Sequence, residues 1–220
     1  MTQEIRTINL GGVNCYLVKE GHSSILIDTG FSSKRAFLEK ELERAGVLPG
    51  NLSLILLTHG DSDHAENCAY LREKYGTRIA MHIDDSGMVE TGDMSWNRKS
   101  KPDKISITFR IMMKIFGGPD KPGSFNTFKP DIYVEDGQSL SEYGISAEVL
   151  HLPGHSKGSI GILTSSGALF CGDLFYHFAG FQYIDDLADY SASINKLKNL
   201  KIETVYPGHG KAFPMRDFIG

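Results

Sequence analysis

Apolar and polar residues follow one another through the first 28 positions in short β-branched runs, with turn residues between them. The runs at 5–9, 13–19 and 24–28 predict antiparallel strands that end at Asp28-Thr29-Gly30. The period then lengthens. Phe37, Leu38, Glu41 and Leu42 recur at helical spacing and predict a helix over 33–45, stopped by Gly46. An apolar run at 52–58 predicts a buried strand, 64–75 a second helix ending at Gly76, and 78–82 another strand. Past Gly92 the rhythm breaks, and it resumes after Lys129 with strands at 131–134, 145–152, 159–164 and 168–171. A helix over 190–200 and a strand at 204–206 follow. Strands and helices in this order predict an α+β fold, with sheets packed together and helices outside. No repeat or linker divides the chain, so 1–220 reads as one domain.

Composition narrows the class. The 220 residues are 40% hydrophobic and 23% charged, an ordinary globular balance that excludes a disordered chain. A net charge of −4 gives no global drive toward nucleic acid or anionic lipid. No apolar run reaches the roughly 18–20 residues of a membrane span. The first six residues lack the charged-then-apolar layout of a secretory leader. Cys15, Cys68 and Cys171 stand far apart without a CxxC pair, which implies neither a disulfide framework nor a thiolate metal site. A reducing cytoplasm is the expected location.

The chemistry concentrates in His59-Gly60-Asp61-Ser62-Asp63-His64, directly after the predicted strand 52–58 and directly before a helix. Four metal-binding side chains on one strand-to-helix turn can converge, and imidazole with carboxylate suits Zn, Fe, Mn or Ni rather than Ca. The competing reading is an Asx-rich turn whose Asp63 caps the helix. Three later positions tip the balance. His155, Asp173 and His209 each follow a predicted strand and stand beside a glycine, where backbone can turn tightly.

These motifs (HxDxDH, Gly-His, Gly-Asp and Pro-Gly-His-Gly) resemble the metallo-β-lactamase superfamily, glyoxalase II-like members included, from Asp28-Thr29-Gly30 to His209. The resemblance implies a four-layered αβ/βα sandwich with two divalent metal ions at one edge of the sheets. One metal would take His59, Asp61 and His155; the other would take Asp63, His64 and His209; Asp173 would bridge them. It also implies that Asp63 orients a metal-bridging hydroxide and carries a proton. Asp28 matches the family's early turn, where a supporting role is usual. The family commonly has His where this chain has Asp61, and members resembling flavodiiron proteins carry a carboxylate there. The extra negative charge makes the centre harder and favours Fe or Mn relative to Zn.

Gly154-His155-Ser156-Lys157-Gly158 also matches the G-x-S-x-G elbow of serine hydrolases. That reading needs a helix after Ser156, whereas 159–164 has the pattern of a strand. His22, His82 and His151 read as structural or solvated. His177, Lys211 and Tyr183 are candidates to face a substrate.

The segment 97–129 carries eight Lys or Arg against two Asp in an otherwise acidic chain. Within it Ile105, Phe109, Met112 and Phe116 share a helical face, with Ile111 and Ile115 beside them. A core helix competes with a cap over the site, a homodimer contact or a lipid-facing surface. Together these features predict a metal-dependent hydrolase of a small-molecule ester, thioester, lactone or phosphoester, with no nucleic-acid partner. A di-iron oxidoreductase of flavodiiron type is the alternative.

Overall fold

The computed structural model describes residues 3–116, 126–177 and 182–219. Its framework is two sheets. The first runs, in spatial order, Gln3–Asn9, Asn14–Glu20, Ser23–Ile27, Leu54–Leu56, Ile79–Met81 and Ile132–Tyr133. The first three strands pair antiparallel, as their short turns require, and the remaining pairs are parallel across helical connections. The second sheet is ordered Phe213–Pro214, Thr204–Tyr206, Ala168–Phe170, Ile160–Thr164 and Ala147–His151.

Side-chain alternation divides the core into three layers. Tyr16, Val18, Ile25, Ile27, Leu54 and Leu56 face the second sheet and pack on Val149, Ile160, Ile162 and Phe170. Their neighbours Leu17, Leu26, Ile55 and Leu57 point the other way, onto Leu38 and Leu42 of the helix Arg35–Arg44 and Leu71 and Tyr75 of the helix Cys68–Tyr75. Behind the second sheet, Leu150, Leu152, Leu169 and Val205 meet Leu197 of the helix Leu187–Lys198. Asp186 caps that last helix by accepting from the backbone N–H groups of Ala188 and Asp189. The result is helix, sheet, sheet, helix: the α+β sandwich of four layers that the resemblance implies.

The helix expected over 64–75 is two helices, Ser62–Ala65 and Cys68–Tyr75. Asn67 lies at the break, and its amide donates to the carbonyls of Thr29, Gly30 and Phe31. Those bonds fasten the Asp28-Thr29-Gly30 turn to the turn carrying His59 and His64. Asp63 does not cap a helix either, since no side-chain cap bond is made at the start of Ser62–Ala65.

Within 97–129 the helix Ile107–Phe116 forms, but Ile105 belongs to a two-stranded ribbon, Lys104–Ile105 with Tyr183–Ile184. Ile107 and Ile111 are exposed, so the apolar surface is not covered on every side. Phe109 is half-buried with its ring 5.6 Å from that of Tyr183. The side chains of Met112 and Phe116 lie outside the described residues. No helix among the described residues is long and apolar enough to cross a membrane.

Candidate metal centre

Four strand ends lead to one place. His59 follows Leu54–Leu56, His155 follows Ala147–His151, Asp173 follows Ala168–Phe170 and His209 follows Thr204–Tyr206. Backbone bonds tie the loops together: Ile160 donates to the Thr58 carbonyl at 2.8 Å, and Gly208 to that of Gly172 at 2.7 Å. Gly208 is required by space, because a Cβ there would stand 2.3 Å from Asp173 Oδ1 and 2.8 Å from His64 Cε1. Gly172, at φ 49°, sits against Thr58 in the same way.

All seven residues named from the motifs converge. Asp61 Oδ2 lies 3.5 Å from His59 Nε2 and 2.9 Å from His155 Nε2. Asp63 Oδ2 lies 3.7 Å from His64 Nε2 and 3.3 Å from His209 Nε2. Asp173 stands between the groups. Its Oδ2 is 4.0 Å from His59 Nε2, 3.9 Å from His155 Nε2 and 3.2 Å from His209 Nε2, and its Oδ1 is 3.3 Å from His64 Nε2.

The histidines share one arrangement. Each turns Nδ1 outward to an oxygen: Thr58 Oγ1 for His59 at 2.9 Å, Asp28 Oδ2 for His64 at 2.9 Å, the Tyr183 carbonyl for His155 at 3.4 Å, and the Gly12 carbonyl for His209 at 2.7 Å. The Thr58 hydroxyl donates to Asp28 Oδ2, so it accepts from His59. An imidazole that donates from Nδ1 keeps the Nε2 lone pair for the centre. The buried Nε2 atoms of His59 and His64 make no hydrogen bond there. A buried polar atom without a partner is costly unless something supplies one, so the donor set fits divalent cations.

The electrostatics agree. Burial opposes charge on His64, yet Asp63, Asp173 and Asp28 hold its pKa well above the ordinary value. His209 is likewise raised against burial by Asp173 and Asp63. Burial pushes Asp173 up, and His209 and His64 pull it well below the carboxylate range. A field that retains protons on buried imidazoles also attracts a metal, which would enter by displacing them.

Sequence reasoning missed three supports. Arg98, in the basic segment, lies with Nη1 2.8 Å from Asp61 Oδ1 and donates from Nη2 to Oδ2 at 2.9 Å. Burial raises the Asp61 carboxyl, but Arg98 and the two histidines carry it well below its usual range. The centre is therefore less anionic than the ligands alone suggest. Asp85, fully buried, accepts from the Ser156 hydroxyl at 2.6 Å, Gly158 N–H at 2.7 Å and Gly60 N–H at 3.2 Å, joining the His59 and His155 loops. Asn67 is the third. No motif flagged them, since each acts across a distance that local spacing does not encode.

Ser156 is not placed as a nucleophile. It is 1% exposed and bonded to Asp85 and Ser159, and the strand Ile160–Thr164 follows where an elbow needs a helix. Tyr183 is half-buried with its ring 5.4 Å from His155, and Lys211 is exposed just beyond His209–Gly210. The backbone of Tyr176–His177 pairs with His209–Gly210, while the His177 side chain lies outside the described residues.

The family model described as "Metallo-beta-lactamase superfamily" matches residues 8–209. The chain belongs to that superfamily. It is 26% identical over 206 residues to Beta-lactamase-like protein 2 homolog of Drosophila melanogaster, covering 92% of this chain and 60% of that one. The chain thus spans about three fifths of that relative's length. Hydroxyacylglutathione hydrolase GloC of Haemophilus influenzae is 26% identical over 219 residues, covering 96% of this chain and 91% of that one. Among solved structures, TTHA1623 in a di-iron-bound form superposes with a TM-score of 0.68 at 26% identity, covering 97% and 95% of the two chains.

Proposed function

We propose that this chain is a binuclear metal-dependent hydrolase acting on an ester bond of the acyl type, with a thioester as the favoured substrate class. One ion would be held by His59, Asp61 and His155, the other by Asp63, His64 and His209, with Asp173 shared. The observation that carries this reading is the common orientation of the four histidines, each with Nδ1 2.7–3.4 Å from an oxygen and Nε2 turned inward. When bound, two divalent ions supply a water acidified toward neutral pH and polarise the carbonyl under attack.

The protein's own residues orient and protect that chemistry. Asp28 and Thr58 fix His64 and His59, and Asp85 keeps the two ligand loops in register. Asp63 engages His209 and His64 through Oδ2 and keeps a quarter of its side chain exposed. Its Oδ1 is assigned to take a proton and pass it to the leaving group, the general acid–base role. Tyr183, Lys211 and His177 are assigned to the substrate side, with the helix Ile107–Phe116 as a cap reaching Tyr183 through Phe109.

The thioester preference follows the relative named as a hydroxyacylglutathione hydrolase, which the chain matches over nearly its whole length. The donor set admits Zn, Fe or Mn, and the di-iron-bound neighbour bears on the ion rather than on the reaction. The test is hydrolysis of S-acyl glutathione and of oxygen-ester analogues by protein stripped with chelator and reloaded separately with each metal. Metal-dependent release of thiol supports the reading. Full activity in the stripped protein, or none with any metal or ester, would overturn it.

A further inference from the structure

Arg98 is the one described basic side chain brought against the centre's carboxylates, and its placement is elaborate. Asn97 adopts a left-handed backbone, φ 57°, and its side-chain amide donates to the Asp84 carbonyl. On the other side of Arg98, the backbone N–H of Lys99 donates to both oxygens of buried Asp185. The chain is thereby turned so that Arg98 enters the site. There its Nη1 donates to the Met94 carbonyl at 3.1 Å, and its guanidinium lies over the Tyr183 ring, 5.3 Å from the centroid. The side chain is 9% exposed. A cation fixed this firmly is part of the centre's design rather than a solvated charge.

Its effects fall on one half of the centre. Arg98 faces both oxygens of Asp61, and Nη2 also lies 3.3 Å from His155 Nε2. Among the described residues, no Lys or Arg side chain forms an ion pair with Asp63 as Arg98 does with Asp61. A guanidinium competes for Asp61 and repels a dication brought to the same carboxylate, and burial leaves that repulsion little screened. The opposite half keeps the Asp63 carboxylate for a cation, its Oδ2 3.3 Å from His209 Nε2 and 3.7 Å from His64 Nε2.

We propose that Arg98 makes the two metal positions unequal: the Asp63–His64–His209 position fills first, and the His59–Asp61–His155 position is a weaker one whose occupancy Arg98 sets. The chain then works as a one-metal protein at low metal concentration and becomes binuclear only as the metal supply rises. This inference rests on the binuclear reading above.

Calorimetric titration of the chelator-stripped full chain with Zn²⁺, repeated with Mn²⁺, tests it. Wild type is expected to bind in two steps at least tenfold apart. Arg98→Met, which keeps the stem and removes the charge, should tighten the second step by about tenfold or more and leave the first within about threefold, the scale on which outer-sphere groups act. Should Arg98→Met fail to fold, Arg98→Lys keeps the charge but cannot face both oxygens, and should tighten the second step by a smaller factor. Two equal steps in wild type, or a second step that is unchanged or weakened in the variants, would overturn the inference while leaving the binuclear reading intact. Absence of any binding in wild type would overturn both.

Discussion

Asp28 Oδ2 accepts from His64 Nδ1 at 2.9 Å, and the same carboxylate accepts from the Thr58 hydroxyl and backbone N–H. Asp28 is 1% exposed and holds a left-handed backbone, φ 58°, unusual for a residue with a Cβ. One carboxylate thus orients both histidines of the first motif, directly for His64 and through Thr58 for His59. Asp28→Asn removes one acceptor oxygen and weakens the other. Metal affinity should fall by about 10–100-fold with the fold retained. Titration with Zn²⁺ beside a far-UV dichroism spectrum checks this, and unchanged affinity would remove Asp28 from the account.

Asp85 makes the corresponding prediction for stability. Replacing it with Ala strands the buried N–H groups of Gly158 and Gly60 and leaves the Ser156 hydroxyl with Ser159 alone. Each stranded donor costs about 1–3 kcal/mol, so urea denaturation of the metal-free protein should show a loss of about 2 kcal/mol or more. Ser156→Ala removes the hydroxyl shared by Asp85 and Ser159 and should cost about 1–3 kcal/mol, with hydrolysis nearly intact. Complete loss of hydrolysis in Ser156→Ala with metal retained would restore the serine-nucleophile reading.

Asp61→His presents a sharper case. It installs the ligand common in the family but leaves the Arg98 guanidinium, 9% exposed, without its carboxylate. Breaking a buried pair from one side costs about 3–5 kcal/mol. The single variant should therefore be destabilised by that order, and Asp61→His with Arg98→Met should recover most of it. Chemical denaturation of the four proteins in the cycle measures the coupling. Additive losses would show that the two residues do not act as a pair.

The strand and helix pattern could be read from the sequence, because periodicity is a local signal, whereas the four-layer order and the seven-residue ligand set came from the resemblance to the family. The break at Asn67 could not be read, because its amide reaches back to Thr29–Phe31, more than 30 residues away. Arg98 was hidden for a related reason. Its charge was counted within a basic segment, but its direction depends on the Asn97 turn and the Asp185 anchor, which meet only in the fold. The sequence-level charge of the centre was incomplete by that one residue.

His82, just past the strand Ile79–Met81, and His151, at the end of Ala147–His151, stack with ring centroids 4.2 Å apart and planes 7° from parallel. Burial and then the neighbouring His151 hold His82 below its ordinary value of 6.5. The folded state therefore binds fewer protons than the unfolded chain just below pH 6.5, and His82's contribution is complete above that pH. It is lost as pH falls from 6.5 through the lowered folded value. His82→Gln should remove this component, so the wild-type advantage in Tm over the variant should shrink from pH 7.5 to pH 5. An advantage that grows on acidification would reverse the sign and contradict the assignment.

The central claim is a shared two-ion centre with Asp173 between its halves, within 3.2–4.0 Å of all four histidine Nε2 atoms. Metal content per chain after equilibrium dialysis against excess Zn²⁺, for wild type and for Asp173→Ala, tests it most directly. The account predicts about two ions in wild type and a loss at both positions in the variant, because one carboxylate serves both. Retention of two ions by folded Asp173→Ala would contradict it.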